Sequence, residues 1–548
     1  MKKLIPLLLI IVIPVLYSQA VSEKPIVKFP PNAQLDGYNF KFDPASSSYF
    51  YVQYDSGENQ YSIIGNRGNS ERYGYISAYN GLFDSRGNYY MSASNNITDT
   101  TYTYFLLKNG KETGKFDMIN ENWKFKDDKI YFVCRDNNGT YLASYNTVNG
   151  SLTKGKAYDN ITLVYYEQNY SEGEQEGELG FTKDGKTYYL ATLGGEKFLV
   201  IGDAEQKHYS DIDYYNFQED KEGQMTYFAK DKGKFYESAG DAFVVQGKKE
   251  YGKKCDYLYG PILFDKDNNP VYICGDSIKD IYPQRVVTGV KEGKTYSGGV
   301  YDIRYTPSGK LIYTASDVVD QKKNIYRSFI VVEGKEGKKY NSVSSLTLVN
   351  TEVPLYAASK NVDESVIVNG TKEMETDYPN ITAVQLMPDG STAYIGAIYG
   401  DYKKRIKDKF FAVIHGDELG PYDGMVILNY ENGTYILADN AGNYAYVIMN
   451  IKNLTDYVTT QQLVTPRYES KDFEGIDNTA FYKGKVLWTA SRIVNRESYT
   501  YNYQVYYDNK PIGRKYDYIG DFKSDDKTGK VSFIGMTGNE FFTVEIQL

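Results

Sequence analysis

A short hairpin recurs twelve times along the 548-residue chain, and this recurrence constrains the fold more than any other feature. Its clearest copy lies in Arg285 to Ser316. Tyr301–Thr306 is rich in β-branched and aromatic residues, Pro307-Ser308-Gly309-Lys310 is turn chemistry, and Leu311–Ala315 is a second run of the same kind. Proline presets φ and glycine supplies a positive φ, which together make a tight reversal. Runs of five or six residues without a helical period read as strands. Further copies begin at Phe42, Phe83, Phe125, Phe181, Phe217, Leu263, Leu348, Leu386, Leu428, Phe481 and Phe522. A second series, V-x-G-K-E-x-G-K-x-Y-D with variations, runs in phase with the first. Its aromatic, or the residue equivalent to it, falls at Tyr73, Phe116, Tyr158, Tyr209, Cys255, Tyr296, Tyr340, Tyr378, Tyr422, Tyr468 and Tyr516, 38 to 51 residues apart. Four strands per repeat of about 40–45 residues is the signature of a β-propeller blade.

The chain is therefore expected to be all-β, a β-propeller of about twelve four-stranded blades with strands A to D in chain order. Twelve exceeds the four to eight blades of one ordinary propeller. The reading is two tandem propellers, 21–298 and 299–548, with a five-plus-seven split or a nested arrangement as alternatives. No Pro- or Ser-rich linker marks the cut. The last repeat lacks a strand D, whereas Pro25–Phe29 has no strands before it. That segment is expected to supply the missing strand and remove an exposed edge.

The hairpin Arg304-Tyr305-Thr306-Pro307-Ser308-Gly309-Lys310 and the run Gln385-Leu386-Met387-Pro388-Asp389-Gly390 resemble the repeat of WD-like, TolB-type bacterial propellers. The resemblance spans nearly all of the mature chain, with most copies degenerate. It implies a fold; that family serves many functions, so none transfers with it.

Residues 1–20 read as a secretory signal peptide: basic Lys2-Lys3, apolar Leu4–Leu16 and Ser18-Gln19-Ala20 before a cut after Ala20. Thirteen apolar residues are too few to span a bilayer. The mature chain is then exported, to the periplasm or the cell surface of a bacterium, with no transmembrane segment. A net charge of -9 argues against nucleic acid as a partner, because phosphate binding needs clustered positive charge. The 58 tyrosines suit sheet surfaces, with an apolar ring and a wet hydroxyl, and the alternative for any one of them is contact with a glycan or peptide.

No catalytic, metal or cofactor constellation stands out. The two histidines, His208 and His415, fall in different blades and read as surface substitutions. G-x-S-x-G is absent, and a triad needs a nucleophile, a base and an orienting acid. Two histidines cannot build a His-cluster zinc site. Asp265-Lys266-Asp267-Asn268-Asn269 opens like a calcium loop, but Pro270 stands where that pattern wants glycine, so it reads as a turn. Of Cys134, Cys255 and Cys274, an odd set leaves at least one thiol free. Cys255 and Cys274 are expected to be buried free thiols, with a bridge as the lesser alternative. Asp117, Asp159, Asp256, Asp423 and Asp517 follow the recurrent aromatic, and recurrence favours turn capping. A glycosidase carboxylate pair cannot be singled out.

What differs between repeats is the B–C connection, and irregular loops on a rigid scaffold are where binding residues sit. Asn440–Asn443 reads as a minimal one. Tyr399–Lys409 carries Lys403, Lys404 and Arg405; Arg492–Tyr503 carries Arg492, Arg496, Tyr499, Tyr501 and Tyr503; Asn95–Tyr104 is Thr-rich. The function these point to is an exported, non-enzymatic scaffold binding a protein, peptide or glycan through loops on one face. The alternative is a carboxylate-based glycoside hydrolase or polysaccharide lyase.

Overall fold

The recurrent hairpins pair as expected into twelve antiparallel sheets in the computed structural model of the chain. The model describes residues 20–548 apart from 31–36, 77, 79, 99–100, 121, 165–176, 178, 236, 238, 279–281, 348–351, 405, 429–433, 454–457, 499 and 526. The leader Met1–Gln19 and nearly all of the acidic stretch Ser171–Glu178 thus lie outside the described residues. The protein is an all-β chain of propeller blades. Blade six shows the plan: A is Tyr257–Phe264, B Pro270–Gly275, C Gln284–Thr288 and D Lys291–Tyr296. Blade seven repeats it with Gly299–Tyr305, Leu311–Asp320, Ile325–Val332 and Lys335–Glu336. The chain divides into two compact units, Gln34–Ile436 and the combination of Met1–Ala33 with Leu437–Leu548. Blades one to nine lie in the first. Strands B and C of blade ten, with blades eleven and twelve, lie in the second.

The N-terminal strand completes the last blade. Ala20–Lys28 pairs antiparallel with Glu540–Gln547, from Ala20 opposite Gln547 to Lys28 opposite Glu540. It is longer than the five apolar residues that announce it. An edge strand keeps one side wet, so Ser22, Glu23 and Lys24 fit it, and Pro25 sits at an irregularity in the register. Phe29 then packs edge-on against Phe541, with ring centroids 6.1 Å apart.

The cores lie between neighbouring blades. Tyr188, Leu190 and Leu199 of blade four pack with Phe217, Tyr227 and Phe243 of blade five. Val271, Ile273 and Tyr296 of blade six likewise pack with Val300, Tyr313 and Phe329 of blade seven, across residue 298 and inside the larger unit. Tyrosine fills these layers as much as it coats the sheets. Tyr51, Tyr73, Tyr89, Tyr90, Tyr227, Tyr272, Tyr296, Tyr446 and Tyr516 are almost fully buried. The surface reading of tyrosine is thus corrected. The gaps between twisted sheets are wide enough for edge-to-face rings, and each buried hydroxyl needs a partner.

The G-K-x-Y and K-E segments supply those partners. Tyr209 at the end of one blade packs on Tyr227 and Phe243 of the next, at 6.5 and 5.7 Å, and donates to Glu250 at 2.9 Å. Lys207, two residues earlier, lies 5.0 Å from the Tyr209 ring centre and 2.5 Å from the same carboxylate. Tyr340, Lys338 and Glu373 repeat this, with a 2.6 Å hydrogen bond and a 2.5 Å ion pair; the two donors hold the Glu373 carboxyl at about 2. Tyr516 and Arg514 do the same to Glu23 of the N-terminal strand, at 2.6 and 3.0 Å. Each latch joins strand D of one blade to strand D of the next. The aspartate that follows caps turns, as its recurrence suggests. Asp159, Asp256 and Asp517 accept the backbone N–H of Gly194, Ser277 and Gly538, each at 2.7 Å.

Blade five breaks the pattern, and the structure corrects the reading of its cysteines. Cys255 and Cys274 form a disulfide, with Cα atoms 5.6 Å apart. Cys255 occupies the latch position on strand D of blade five, and Cys274 lies on strand B of blade six, where the other blades meet ring to ring. A thiol pair at that packing distance is within bridging range. Glu292 stands where other blades offer a carboxylate to a latch tyrosine, and it lies 3.0 Å from Arg285 Nε. Asp276 lies 2.6 Å from Arg285 Nη1. Cys134 is the free, buried thiol, and burial pushes it up to about 12.

Blade ten corrects the phasing. Ile436–Ala438 leads through Asp439–Asn443 into strand B, Tyr444–Asn453, so Asn440–Asn443 is an A–B turn and not a B–C loop. Asp439 accepts from the backbone of Ala441 and Asn443, as Asp265 does from Asp267 and Asn269. The latch position is Phe473, bridged to Gln461 and packed edge-on against Trp488; it is not Tyr468. Two Asn- and Gly-bearing stretches eight residues apart in the sequence, the first outside the described residues, and a tyrosine five residues before the phenylalanine let the wrong phase fit.

Candidate binding surface at the B–C ends of the blades

Several B–C connections are hairpins that prolong strands B and C. In blade two they run Tyr89–Thr98 and Thr101–Lys108; in blade seven, Leu311–Asp320 and Ile325–Val332; in blade eleven, Lys485–Asn495 and Thr500–Tyr507. The segment Arg492–Tyr503 is accordingly strand and tight turn, not the expected irregular loop. Alternating tyrosines favour extended backbone, as the Tyr499–Tyr503 alternation suggests.

The expected binding residues part company here. Lys403 and Lys404 sit in a short 3-10 turn in the B–C connection of blade nine. Asp401 accepts the Lys403 N–H and pairs with the Lys404 ammonium at 3.1 Å. Arg405 and Tyr499 lie outside the described residues. Arg492 is engaged: its guanidinium lies 4.8 Å from the Phe473 ring centre and donates to the Asp472 carbonyl at 3.0 Å. It takes the place that lysine holds in other latches. Arg496 is exposed in the hairpin turn. Tyr501 and Tyr503 share one side of strand C, with ring centroids 6.4 Å apart.

A second group was missed. Tyr257 and Tyr259 on strand A of blade six, Tyr282 before its strand C, and Tyr301 and Tyr326 of blade seven all lie at this end. Tyr282 and Tyr301 are each 51% exposed, and Tyr259 and Tyr326 are also exposed. Tyr257 contacts Tyr282 at 5.8 Å and Tyr259 at 6.4 Å. Gln284 of blade six accepts the Val300 N–H of blade seven at 2.8 Å, next to Tyr301. Burial of part of each ring pushes the Tyr259 and Tyr301 phenols up. The sequence signal was the i, i+2 spacing of Tyr257 and Tyr259 at the head of a strand; the partners come from other strands and needed the fold.

The histidines are surface residues with local roles. His208 stacks on Phe198 at 3.9 Å and meets Glu196 at 3.3 Å; His415 meets Asp389 at 2.9 Å. Among the described residues no group of three or more His, Cys, Asp or Glu could hold a metal ion, and no helix is long and apolar enough to cross a membrane.

No protein-family model matches the chain, and no curated protein matches it. Solved structures similar to it include the β-propeller domain of the Trilobed protease from Pyrococcus furiosus (12% identity, 52% of this chain and 94% of that one, TM-score 0.25). TolB from Acinetobacter baumannii is similar at 13% identity over 54% of this chain and 77% of its own, with a TM-score of 0.21. Virginiamycin B lyase from Staphylococcus aureus is similar at 12% identity over 50% and 89%, with a TM-score of 0.21. These likenesses are at the level of fold.

Proposed function

We propose that the protein is an exported, non-enzymatic β-propeller scaffold that binds a protein, peptide or glycan through the B–C ends of its blades. The observation that carries this reading lies within the larger unit: the prolonged B–C hairpins of blades two and seven and the exposed tyrosines of blades six and seven. Rings that are half exposed on a rigid sheet present contact area at low entropic cost. The Cys255–Cys274 bridge supports export, since disulfides persist in oxidising compartments. Asp159, Asp256 and Asp517, which follow the latch position, are taken up by turns.

The alternative is a carboxylate-based glycoside hydrolase or lyase. One observation bears on it: among the described residues Asp477, on strand A of blade eleven (Gly475–Tyr482), is a carboxyl raised by local desolvation, although the residue itself is exposed. A general acid needs such a shift.

Glycan and peptide arrays probed with the mature protein separate the two readings. Lys403→Ala, Lys404→Ala and Arg496→Ala in one chain remove exposed cations without touching a core. The scaffold reading expects binding of at least one arrayed class, weakened by roughly tenfold or more in this variant or in Tyr282→Ala with Tyr301→Ala, with an unchanged melting temperature. Release of reducing ends or unsaturated sugars from a bound glycan would replace it with the enzymatic reading.

A further inference from the structure

We propose that the B–C connections of blades seven to nine form a docking surface for a membrane that carries anionic phospholipid. The inference goes beyond the reading above, which names no lipid, and all of its residues lie in the larger unit.

The three connections join Leu311–Asp320 to Ile325–Val332 in blade seven, Leu355–Ser359 to Ser365–Asn369 in blade eight, and Thr392–Ile398 to Lys409–Ile414 in blade nine. Shared cores hold these blades side by side. Ile312 and Ile330 pack with Tyr356 and Val366, and Leu355 and Ile367 pack with Val384 and Val413. Each connection lifts apolar side chains into water. Val319 is 60% exposed, Val362 85% and Ile406 51%, and Ile325, Ile398 and Tyr399 are exposed too. In the A–B and C–D turns of the same blades the one exposed large apolar side chain, among the described residues, is Val353. Single exposed aliphatics are ordinary; their collection at one end of three adjoining blades is not.

Blade nine is built to hold its apolar residues outward. Gly400 admits no side chain, because an added Cβ would run into the carbonyl oxygens of Ile406 and Lys407. Asp408 accepts the Gly400 N–H at 2.7 Å, and the Asp401 carboxylate accepts that of Lys403 at 3.1 Å. The Asp401 carbonyl accepts the Ile406 N–H at 3.0 Å. The connection is thus folded back on itself, with Tyr399 and Ile406 left in water.

Charge and spacing name the occupant. Tyr399–Lys409 holds five basic residues and two acidic ones, in a chain whose net charge is -9. Both carboxylates are turned onto the connection's own backbone, and Asp401 also pairs with Lys404 at 3.1 Å. Lys407 pairs with Asp423 at 2.8 Å, while Lys403 and Lys404 stay exposed beside Ile406. In blade seven Lys322 and Lys323 stand exposed between Val319 and Ile325, and Arg327, bonded to Asn341, adds a cation. Blade eight offers apolar contact alone, since Asp363 and Glu364 follow Val362. An acidic peptide would use the lysines and leave the aliphatic tips in water. A folded protein would need a separate pocket for each tip, because polar residues such as Gln321, Asn324 and Asn361 stand between them. Fluid hydrocarbon needs no pocket. Isoleucine, tyrosine and lysine in one connection match the hydrocarbon, headgroup and phosphate levels of a bilayer surface.

The test is flotation of the whole mature protein with vesicles of phosphatidylcholine, with and without phosphatidylglycerol. The protein should bind the phosphatidylglycerol vesicles more tightly by roughly tenfold or more, and salt should release it by screening exposed charges. Lys403→Ala with Lys404→Ala should weaken binding about fivefold or more, each lysine near an anionic surface contributing about that factor. Val362→Ser with Ile406→Ser should weaken it similarly at an unchanged melting temperature. The emission of Ile406→Trp should shift to the blue when vesicles are added, against a constant signal from the buried Trp123 and Trp488. Absence of flotation, equal flotation with both vesicles, or flotation unchanged in the lysine or the serine variant would overturn the proposal. An arrayed acidic peptide lost in the lysine variant, or a ligand lost in Tyr282→Ala with Tyr301→Ala, without flotation, would overturn the membrane assignment while leaving the B–C-end reading standing.

Discussion

A chain that starts at Pro31 is expected to lose more than about 4 kcal/mol of stability, to aggregate, or both. The deletion removes the strand Ala20–Lys28 and uncovers the backbone of Glu540–Gln547, a long edge that invites pairing with another chain. It strips Tyr516 and Arg514 of Glu23, the last latch. It also removes Phe29, which is buried against Phe541. Truncating one buried phenylalanine costs about 3 kcal/mol by itself. Phe29→Ala should therefore lower the melting temperature of an otherwise complete chain, and the full deletion should lower it further. Thermal unfolding with light scattering reads both. A truncated chain as stable and as monomeric as the parent would show that the strand is an ornament of the last blade.

Opening the Cys255–Cys274 bridge is expected to cost about 3 kcal/mol, the chain-entropy value for a loop closed over 19 residues. At Tyr209, Tyr340 and Tyr516 a tyrosine and a cation latched to a glutamate make the equivalent joint, and in blade six Glu292 already faces Arg285. Cys255→Ala with Cys274→Ala should therefore be markedly less stable than the parent. A reducing agent should lower the melting temperature of the parent and leave that of the variant unchanged. Cys134 adds nothing to this response, since it is buried and its thiol stays protonated. Equal melting temperatures with and without reductant would remove the bridge from the account.

The blades were legible because two independent series, the A–B hairpin and the G-K-x-Y-D segment, keep the same phase. The latches explain why the second series exists: lysine, tyrosine and the glutamate of the next blade meet at one point, so all three recur. The closing strand was legible from what the last blade lacked. The cysteines were misread because the sequence shows Cys255 in the place of a tyrosine but not that strand B of the next blade faces it. Blade ten was misphased because Asn440–Asn443 is as good a turn as the residues just before it, and Tyr468 mimics Phe473. No Pro- or Ser-rich linker marks a partition of the chain. Of the candidate surface, the charged and aromatic hairpin of blade eleven was visible, but Arg492 belongs to packing. The five tyrosines of blades six and seven come from strands A and C and from a connection, up to 69 residues apart, and only blade geometry brings them together.

The central claim is a chain of twelve blades whose last sheet is finished by the first strand. Hydrogen–deuterium exchange with mass spectrometry on the mature protein tests it most directly. Peptides from Val21–Phe29 should be protected to the same degree as those from Glu540–Gln547, and both should lose protection together in Phe29→Ala. Exchange of the N-terminal peptides within seconds, beside a slow C-terminal strand, would contradict the claim.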